Sequence, residues 1–155
     1  MKVREVMTTD VKKLTQEDTI NKALEMFDKY KVSGFPVVDK NDVPVGMVSE
    51  TDVLKIIDVY SKVVDSKSNL LPLVFGIIKN SNHFEDVKDG FKKVKDLQVS
   101  EIMQTDLVSV DKEKDIYEAA RMMNKEDVHR LPVVDNNKLV GILSKADIVE
   151  ALASE

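Results

Sequence analysis

The sequence repeats itself, because three segments of its first half recur in the same order in its second half. These segments are VREVMTTD at 3–10 and VSEIMQTD at 99–106, FPVVD at 35–39 and LPVVD at 131–135, and VGMVSETD at 45–52 and VGILSKAD at 140–147. The first two pairs are 96 positions apart, and the third aligns after one residue is skipped. Such a duplication predicts two equivalent units, each with an apolar face for the other to cover.

Each repeat predicts the same order of elements, β-α-β-β-α. A short β-prone run (residues 11–14 and 107–110) precedes a helix with apolar residues at the three- and four-residue spacing of one buried face. In the second repeat this helix begins with Asp115 and Glu118 at the spacing of a capping box. Two β runs around a polar turn predict a hairpin, and a second helix follows Ser49.

The repeats divide the chain into three parts. Residues 1–60 and 96–155 are the two repeats, and residues 61–95 are an insert between them. The insert carries apolar residues at helical spacing, namely Phe84, Val87, Phe91 and Val94. We therefore expect a partly helical insert, and its length is typical of a mobile connection.

The composition is that of a soluble globular protein. The chain has 155 residues, of which 43% are hydrophobic, and it carries a net charge of −5. This charge gives no overall positive field for nucleic acid or an anionic membrane. The longest apolar run, residues 70–78, is too short for a membrane span, and the first residues lack the apolar core of a signal peptide. We expect a cytoplasmic protein that binds neither nucleic acid nor membrane.

The sequence lacks the usual motifs of catalysis and metal binding. It has no cysteine, and its two histidines, His83 and His129, lie far apart in the chain. No nucleophile elbow, zinc-protease, P-loop or dinucleotide-binding pattern occurs, and two histidines without cysteine argue against a transition-metal site. The sequence therefore predicts a protein that is not an enzyme and has neither a catalytic cofactor nor a metal.

A Ser-x-x-Asp motif stands at the start of the last helix of each repeat, as Ser49 and Asp52 and as Ser144 and Asp147. One interpretation is purely structural, because this spacing forms a cap at a helix N-terminus. The other is that the aspartate accepts two sugar hydroxyl protons while the serine faces a ligand. A helix N-terminus also attracts anions, so capping and binding are compatible.

The segment before each repeated proline is the second candidate for a ligand site. A residue before proline is held extended, so its backbone is available to a planar base. In the second repeat His129 and Arg130 stand here, and a guanidinium matches phosphate oxygens. The alternative is a basic pair on the surface beside Asp127.

Together, the paired βαββα repeats, the PVVD step and the VG-x-x-S-x-x-D ending resemble the cystathionine-β-synthase (CBS) domain pair, or Bateman module. The resemblance covers nearly all of the chain outside the insert. It implies an α+β fold in which the repeats pack through their sheets with pseudo-twofold symmetry, leaving two clefts. It also implies a regulatory adenosine ligand, which is AMP, ADP, ATP, or S-adenosylmethionine and derivatives such as methylthioadenosine.

The resemblance implies that each cleft is composite, with the base on the pre-proline segment of one repeat and the ribose on the Ser-x-x-Asp motif of the other. The first cleft would then combine Val128, His129, Arg130, Leu131 and Pro132 with Ser49 and Asp52. The second would combine Val32, Ser33, Gly34, Phe35 and Pro36 with Ser144, Lys145 and Asp147.

The two implied clefts differ in charge, and this difference predicts different ligands. The first cleft has Arg130 and His129 for phosphate, whereas the second has Lys145 as its nearby cation. We expect the first cleft to prefer a phosphorylated adenosine and the second to suit a less charged one or to stand empty. Some phosphate-binding relatives carry a lysine where this chain has Asp127, and this acid favours AMP over ATP.

The sequence leaves two classes of function open. The first is a stand-alone regulatory sensor of an adenosine ligand, for which the resemblance implies a homodimer and a separate regulated protein. The second is a ligand-free structural or dimerisation module in which the Ser-x-x-Asp motifs only cap helices. In the first case, we expect the insert to become ordered or released when the ligand binds.

Overall fold

The computed structural model describes residues 1–66 and 93–155, and these residues form two compact units. Unit 1 consists of Met1–Lys13, Val38–Gly46 and Thr105–Glu155, and unit 2 of Leu14–Val37 and Met47–Gln104. The predicted insert helix, apart from Val94, and the predicted mobility of the insert lie outside the described residues.

Both repeats have the predicted βαββα order, which confirms the α+β fold. The first repeat contains β1 (Leu14–Thr15), α2 (Ile20–Tyr30), β2 (Gly34–Val38), β3 (Pro44–Ser49) and α3 (Glu50–Ser66). The second contains β4 (Val110–Asp111), α4 (Ile116–Lys125), β5 (Arg130–Asp135), β6 (Lys138–Ser144) and α5 (Lys145–Ala153). A helical turn precedes each set, α1 (Val3–Val6) in the first repeat and a 3₁₀ turn (Val99–Glu101) in the second.

Each repeat forms a three-stranded sheet, with strand orders β1-β2-β3 and β4-β5-β6. In the second sheet β4 runs parallel to β5, and β5 pairs antiparallel with β6. The turn of this hairpin places Asn136 and Asn137 at φ of 49° and 67°. Two positive φ values in succession are typical of a two-residue hairpin turn, and asparagine tolerates them better than most residues. The predicted polar turn is therefore confirmed in the second repeat.

The first strand of each repeat is shorter than predicted. We expected β structure from residue 11 and residue 107, but β1 and β4 contain two residues each. The amide of Val11 donates to the carbonyl of Thr9, and the amide of Leu107 donates to that of Thr105. These tight turns divert the backbone, so strand pairing begins only at Leu14 and Val110.

The predicted capping box of α4 is wrong, although its N-cap residue is right. The Asp115 side chain caps the helix by accepting a hydrogen bond from the Tyr117 amide at 2.8 Å. Glu118 does not close the box, because its Oε1 pairs with Lys114 Nζ at 3.3 Å. An exposed carboxylate that has a lysine four residues away forms an ion pair on the helix surface instead.

The segment that begins each repeat, residues 1–10 or 97–106, packs against the other repeat. The sequence analysis did not predict this packing of the two leading segments. In unit 1 the Val3 amide donates to the Lys114 carbonyl at 2.8 Å, and Thr8 forms a β-bridge with Ile142. In unit 2 the Val99 amide donates to the Asp18 carbonyl at 2.7 Å. A second β-bridge there joins residues 47 and 104. Each unit therefore contains elements of both repeats.

The core of each unit consists of the predicted apolar faces. In unit 1 the buried cluster is Val3, Val110, Ala119, Met123, Leu131, Val133, Leu143 and Ile148. In unit 2 the fully buried large side chains are Phe35, Leu14, Ile20, Val37, Val48 and Val94. The first residue of each leading helical turn, Val3 or Val99, is also fully buried. Apolar burial thus holds the exchanged segments in place.

Candidate functional site

Both Ser-x-x-Asp motifs form the predicted helix cap. In unit 2, Asp52 Oδ2 accepts hydrogen bonds from the Ser49 amide at 2.8 Å and from Ser49 Oγ at 2.9 Å. In unit 1, Asp147 Oδ2 accepts the same two bonds from Ser144, each at 2.7 Å. The aspartate amides donate back to the serine hydroxyls. In each cap one carboxylate oxygen, Oδ1, is not used by the serine.

The surroundings of Asp52 hold its second oxygen as well. Gln104 Nε2 donates to Asp52 Oδ1 at 2.8 Å. Gln104 lies at the end of the leading segment of the second repeat, and backbone hydrogen bonds of 2.9 and 2.8 Å to Met47 fix its main chain. Asp52 is 7% exposed, and its capping serine is half-buried. Both oxygens of this carboxylate therefore have donors.

The surroundings of Asp147 are more open. Its side chain is half-buried, and within residues 1–66 and 93–155 no donor reaches its Oδ1. Asp147 lines a surface cavity of about 360 Å³ whose rim also carries Glu5 and Glu150. Met1 also lines the cavity, but its N-terminal ammonium pairs with Asp115 at 3.6 Å. With three acidic residues the cavity has a net negative charge, which disfavours a phosphate.

The pre-proline segments are tied to the caps of their own repeats. The Ser33 carbonyl accepts a hydrogen bond from the Glu50 amide at 3.1 Å, and the His129 carbonyl accepts one from the Lys145 amide at 3.0 Å. Within each unit, the segment before the proline therefore lies beside the first residue of the capped helix. These two backbone bonds bring the two predicted ligand-binding motifs of one repeat together.

The side chains of the pre-proline segments differ in burial. Phe35 and Leu131 are buried in the cores of their units, at 1% and 0% exposure, and Phe35 stacks on Phe27 with ring centroids 5.0 Å apart. Their contribution to a ligand site is therefore limited to backbone. Other predicted site residues are accessible to different degrees: Ser33 and His129 are exposed, and Val32, Val128, Arg130 and Lys145 are half-buried.

The remaining predicted residues are buried in the strands. Gly34 and Pro36 lie in β2, and Pro132 lies in β5 opposite Ile142. Asp127, the acid that the sequence analysis predicts to disfavour ATP, is exposed and has a φ of 51°. Aspartate adopts this left-handed conformation more readily than most residues, so Asp127 suits the backbone of the turn after α4.

The structure brings together the two motifs of each repeat and adds residues that the sequence analysis missed. Gln104 contacts Asp52, and its counterpart 96 positions earlier is Thr8. The aligned sequences show this difference, but they do not show which acid each residue meets. The pairing of one repeat's pre-proline segment with the other repeat's acid stays a prediction.

Two further findings concern the residues that the structure describes. Among them, no group of three or more histidine and carboxylate side chains is arranged to hold a metal ion. No helix in the same part of the chain combines the length and apolar character that a membrane crossing requires.

Comparison with known proteins identifies the repeats. The family model of the CBS domain matches residues 3–59 and 99–154. The protein MJ1426 of Methanocaldococcus jannaschii is 30% identical over 98% of this chain and 91% of its own length. The chloroplastic protein CBSX2 of Arabidopsis thaliana is 33% identical over 86% of this chain and 55% of its own length. Other curated relatives are longer, and the chain spans only 23–40% of their lengths.

Solved structures agree with the fold. The structure of CBSX2 in complex with AMP is 27% identical and has a TM-score of 0.72, and the match covers 99% of this chain and 96% of that one. The CBS domain pair of MJ0100, in complex with 5′-methylthioadenosine and S-adenosylmethionine, has a TM-score of 0.67 at 17% identity, covering 99% of this chain and 97% of that one. At this identity, the likeness to MJ0100 concerns the fold alone.

Proposed function

Because the chain belongs to the CBS-domain family, we propose that it is a regulatory module that binds an adenosine ligand, with AMP favoured over ADP and ATP, and that signals to a partner protein. The observation that carries the proposal is the pair of capped aspartates, Asp52 and Asp147, each fixed by its own serine. The AMP complex of CBSX2, a relative of similar fold, supports the choice of ligand.

The cap gives each aspartate the properties that ribose binding requires. A carboxylate that is already oriented by two donors loses little side-chain entropy when a ligand binds. Oδ1 then accepts hydroxyl protons of the sugar, and hydrogen bonds to a charged acceptor are stronger than neutral ones. Capping and binding thus use different oxygens of the same side chain.

The pre-proline segments supply the rest of the proposed site. The backbone of Val32–Pro36 or of Val128–Pro132 lines the adenine, while Arg130 and His129 face the phosphate. A guanidinium donates two parallel hydrogen bonds to phosphate oxygens, which a lysine cannot do. We therefore assign AMP to the site that contains Arg130.

A second candidate ligand is S-adenosylmethionine or methylthioadenosine, at the site that contains Asp147. The carboxylates of Glu5 and Glu150 that line the cavity beside Asp147 favour this candidate, because they repel a phosphate, attract the sulfonium cation of S-adenosylmethionine and do not oppose neutral methylthioadenosine. Ligands of this class are present in the structure of MJ0100.

Self-association is a further part of the proposal. Leu54 on α3 and Val149 on α5 occupy equivalent positions in the two repeats and are 64% and 67% exposed. Apolar side chains this exposed on two equivalent helices favour an interface with a second copy. We therefore propose a homodimer that contacts its regulated protein through other surfaces.

Isothermal titration of ligand-stripped protein tests the function. AMP, ADP, ATP, S-adenosylmethionine and methylthioadenosine are titrated into the wild type, Asp52→Asn and Asp147→Asn. Asparagine retains an oxygen for the serine donors but replaces the outer acceptor with an amide, so each variant loses one site and keeps its cap. Asp115→Asn is the matched control, because Asp115 caps a helix without being a proposed ligand residue.

We expect saturable AMP binding that Asp115→Asn leaves intact and from which at least one of the other two variants removes a site. Arg130→Ala is expected to weaken AMP about tenfold, as loss of one charged hydrogen-bonding group does, while adenosine binds as before. The double variant Arg130→Ala with Asp52→Asn tests whether these two residues serve one site. Failure of all five ligands to bind would favour the structural module.

A further inference from the structure

The two capped aspartates differ in the number of hydrogen bonds that they are still able to accept. An ionised carboxylate has about four lone-pair positions. At both Asp52 and Asp147, the serine amide and hydroxyl occupy positions on Oδ2. Gln104 occupies a further position on Oδ1 of Asp52 at 2.8 Å, whereas in the described part of the chain nothing does so at Asp147.

A ribose offers two neighbouring hydroxyl groups, and an acid that binds both must accept two hydrogen bonds. Both lone pairs of Asp147 Oδ1 are available to them, but one lone pair of Asp52 Oδ1 is already taken. Resting on the function proposed above, we propose that Gln104 is a built-in competitor of ribose at Asp52. For adenosine, which lacks the phosphate that Arg130 would bind, the site at Asp147 then fills at lower concentration, and the site at Asp52 fills as Gln104 releases its hydrogen bond.

The position of Gln104 suits this role. Its backbone is held by the β-bridge to Met47, whereas the residue as a whole is exposed. The side-chain amide is therefore able to turn into water without unfolding the segment that carries it, and water replaces the lost hydrogen bond to the amide. The backbone of Gln104 is thus fixed, while its side chain is able to break the hydrogen bond to Asp52.

The equivalent residue in unit 1 shows why the asymmetry depends on one side chain. Thr8 forms the same kind of β-bridge, to Ile142, so the backbone of the leading segment is placed alike. The threonine side chain is shorter and makes no hydrogen bond to Asp147 within the described residues. Exchanging glutamine and threonine between positions 8 and 104 is therefore a matched test.

The experiment measures AMP and adenosine affinity by titration, one site at a time. Asp147→Asn isolates the Asp52 site, and Gln104→Thr in this background is expected to tighten binding about tenfold, the gain from removing one competing hydrogen bond. Asp52→Asn isolates the Asp147 site, and Thr8→Gln in this background is expected to weaken binding by a similar factor. Gln104→Thr in the Asp52→Asn background is the control and is expected to change nothing.

A second measurement does not depend on the isolating variants. In the wild type, the side-chain amide resonances of Gln104, assigned by their loss in Gln104→Thr, are expected to shift as adenosine fills the site at Asp52.

The outcomes separate this inference from the proposed function. If AMP and adenosine bind, but Gln104→Thr leaves the Asp52 site unchanged or weakens it, Gln104 is not a competitor, and the proposed function stands. A Gln104 amide that does not move at saturation leads to the same conclusion. If no adenosine ligand binds the wild type or any variant, the proposed function and this inference are both wrong.

Discussion

The two capped helix starts invite comparison, because they are copies of one motif in two settings. Ser49 with Asp52 and Ser144 with Asp147 make the same three hydrogen bonds at nearly the same distances. Asp52 is buried and has a third donor, the side chain of Gln104, whereas Asp147 is half-buried and lines a cavity. Duplication therefore preserved the local structure of the motif, while the leading segment of the opposite repeat determined what surrounds it.

The leading segments themselves differ in charge between the two units. In unit 1, Lys2 and Arg4 both pair with Glu113. The equivalent positions in unit 2 are Gln98, Ser100 and Glu17, and Glu17 forms no ion pair with any described residue. Apolar burial thus holds the leading segments of both units, and in unit 1 the ion pairs of Glu113 add to it.

The largest effect on stability is expected at the residue before the proline, which is buried in both repeats. Phe35→Ala removes a ring that is 1% exposed and stacks on Phe27. This change should lower the free energy of unfolding by about 3–5 kcal/mol, and Leu131→Ala should lower it by about 2–5 kcal/mol. Urea unfolding measures both values. A loss below about 1 kcal/mol in either variant would show that the two pre-proline residues are not equivalent core positions.

A smaller effect should distinguish the two caps. Ser49→Ala removes a donor from a buried carboxylate, which water reaches poorly, so we expect a loss of about 1–2 kcal/mol. Ser144→Ala removes the same donor from a half-buried carboxylate, and the expected loss is about 1 kcal/mol. Thermal unfolding of the two variants side by side gives the difference. A larger loss for Ser144→Ala would mean that Gln104, rather than burial, controls the stability of the cap at Asp52.

The smallest effect concerns the ion pairs and depends on pH. The hydrogen bond from Lys2 and the charge of Arg4 lower the pKa of Glu113 from its usual 4.5, although desolvation opposes the shift. A lowered pKa in the folded state stabilises the protein above the unfolded pKa, and this stabilisation disappears as the pH falls through the folded pKa. Glu113→Gln should therefore lower the Tm slightly at pH 7, and the difference from wild type should vanish in acid.

Glu17→Gln is the matched control for this prediction, since Glu17 occupies the same repeat position without an ion pair. Its Tm at pH 7 should stay close to that of the wild type, because no ion pair is lost. Addition of salt should reduce the effect of Glu113→Gln, because exposed ion pairs are screened. Equal effects of the two substitutions would contradict the proposed difference between the leading segments.

The sequence by itself determined the repeat, the order of elements and the local form of the candidate motifs. These features depend on residues close together in the chain. Period-3.6 apolar spacing produced α2 and α4, paired asparagines produced the hairpin turn between β5 and β6, and Ser-x-x-Asp spacing produced the caps. Two predictions about residues close together in the chain were wrong, namely the starts of β1 and β4 and the capping box of α4. Tight turns replaced the expected strand hydrogen bonds, and an ion pair with a lysine replaced the expected capping bond.

Only the tertiary structure decided which distant residues meet. Gln104 lies 52 positions from Asp52, and no local pattern indicates that an amide on one repeat's leading segment reaches an acid on the other repeat. The contact exists because Val99 is buried in unit 2 and because the bridge to Met47 fixes the backbone at Gln104. Burial and backbone pairing depend on the packed chain as a whole, so the difference between two identical motifs arises only after folding.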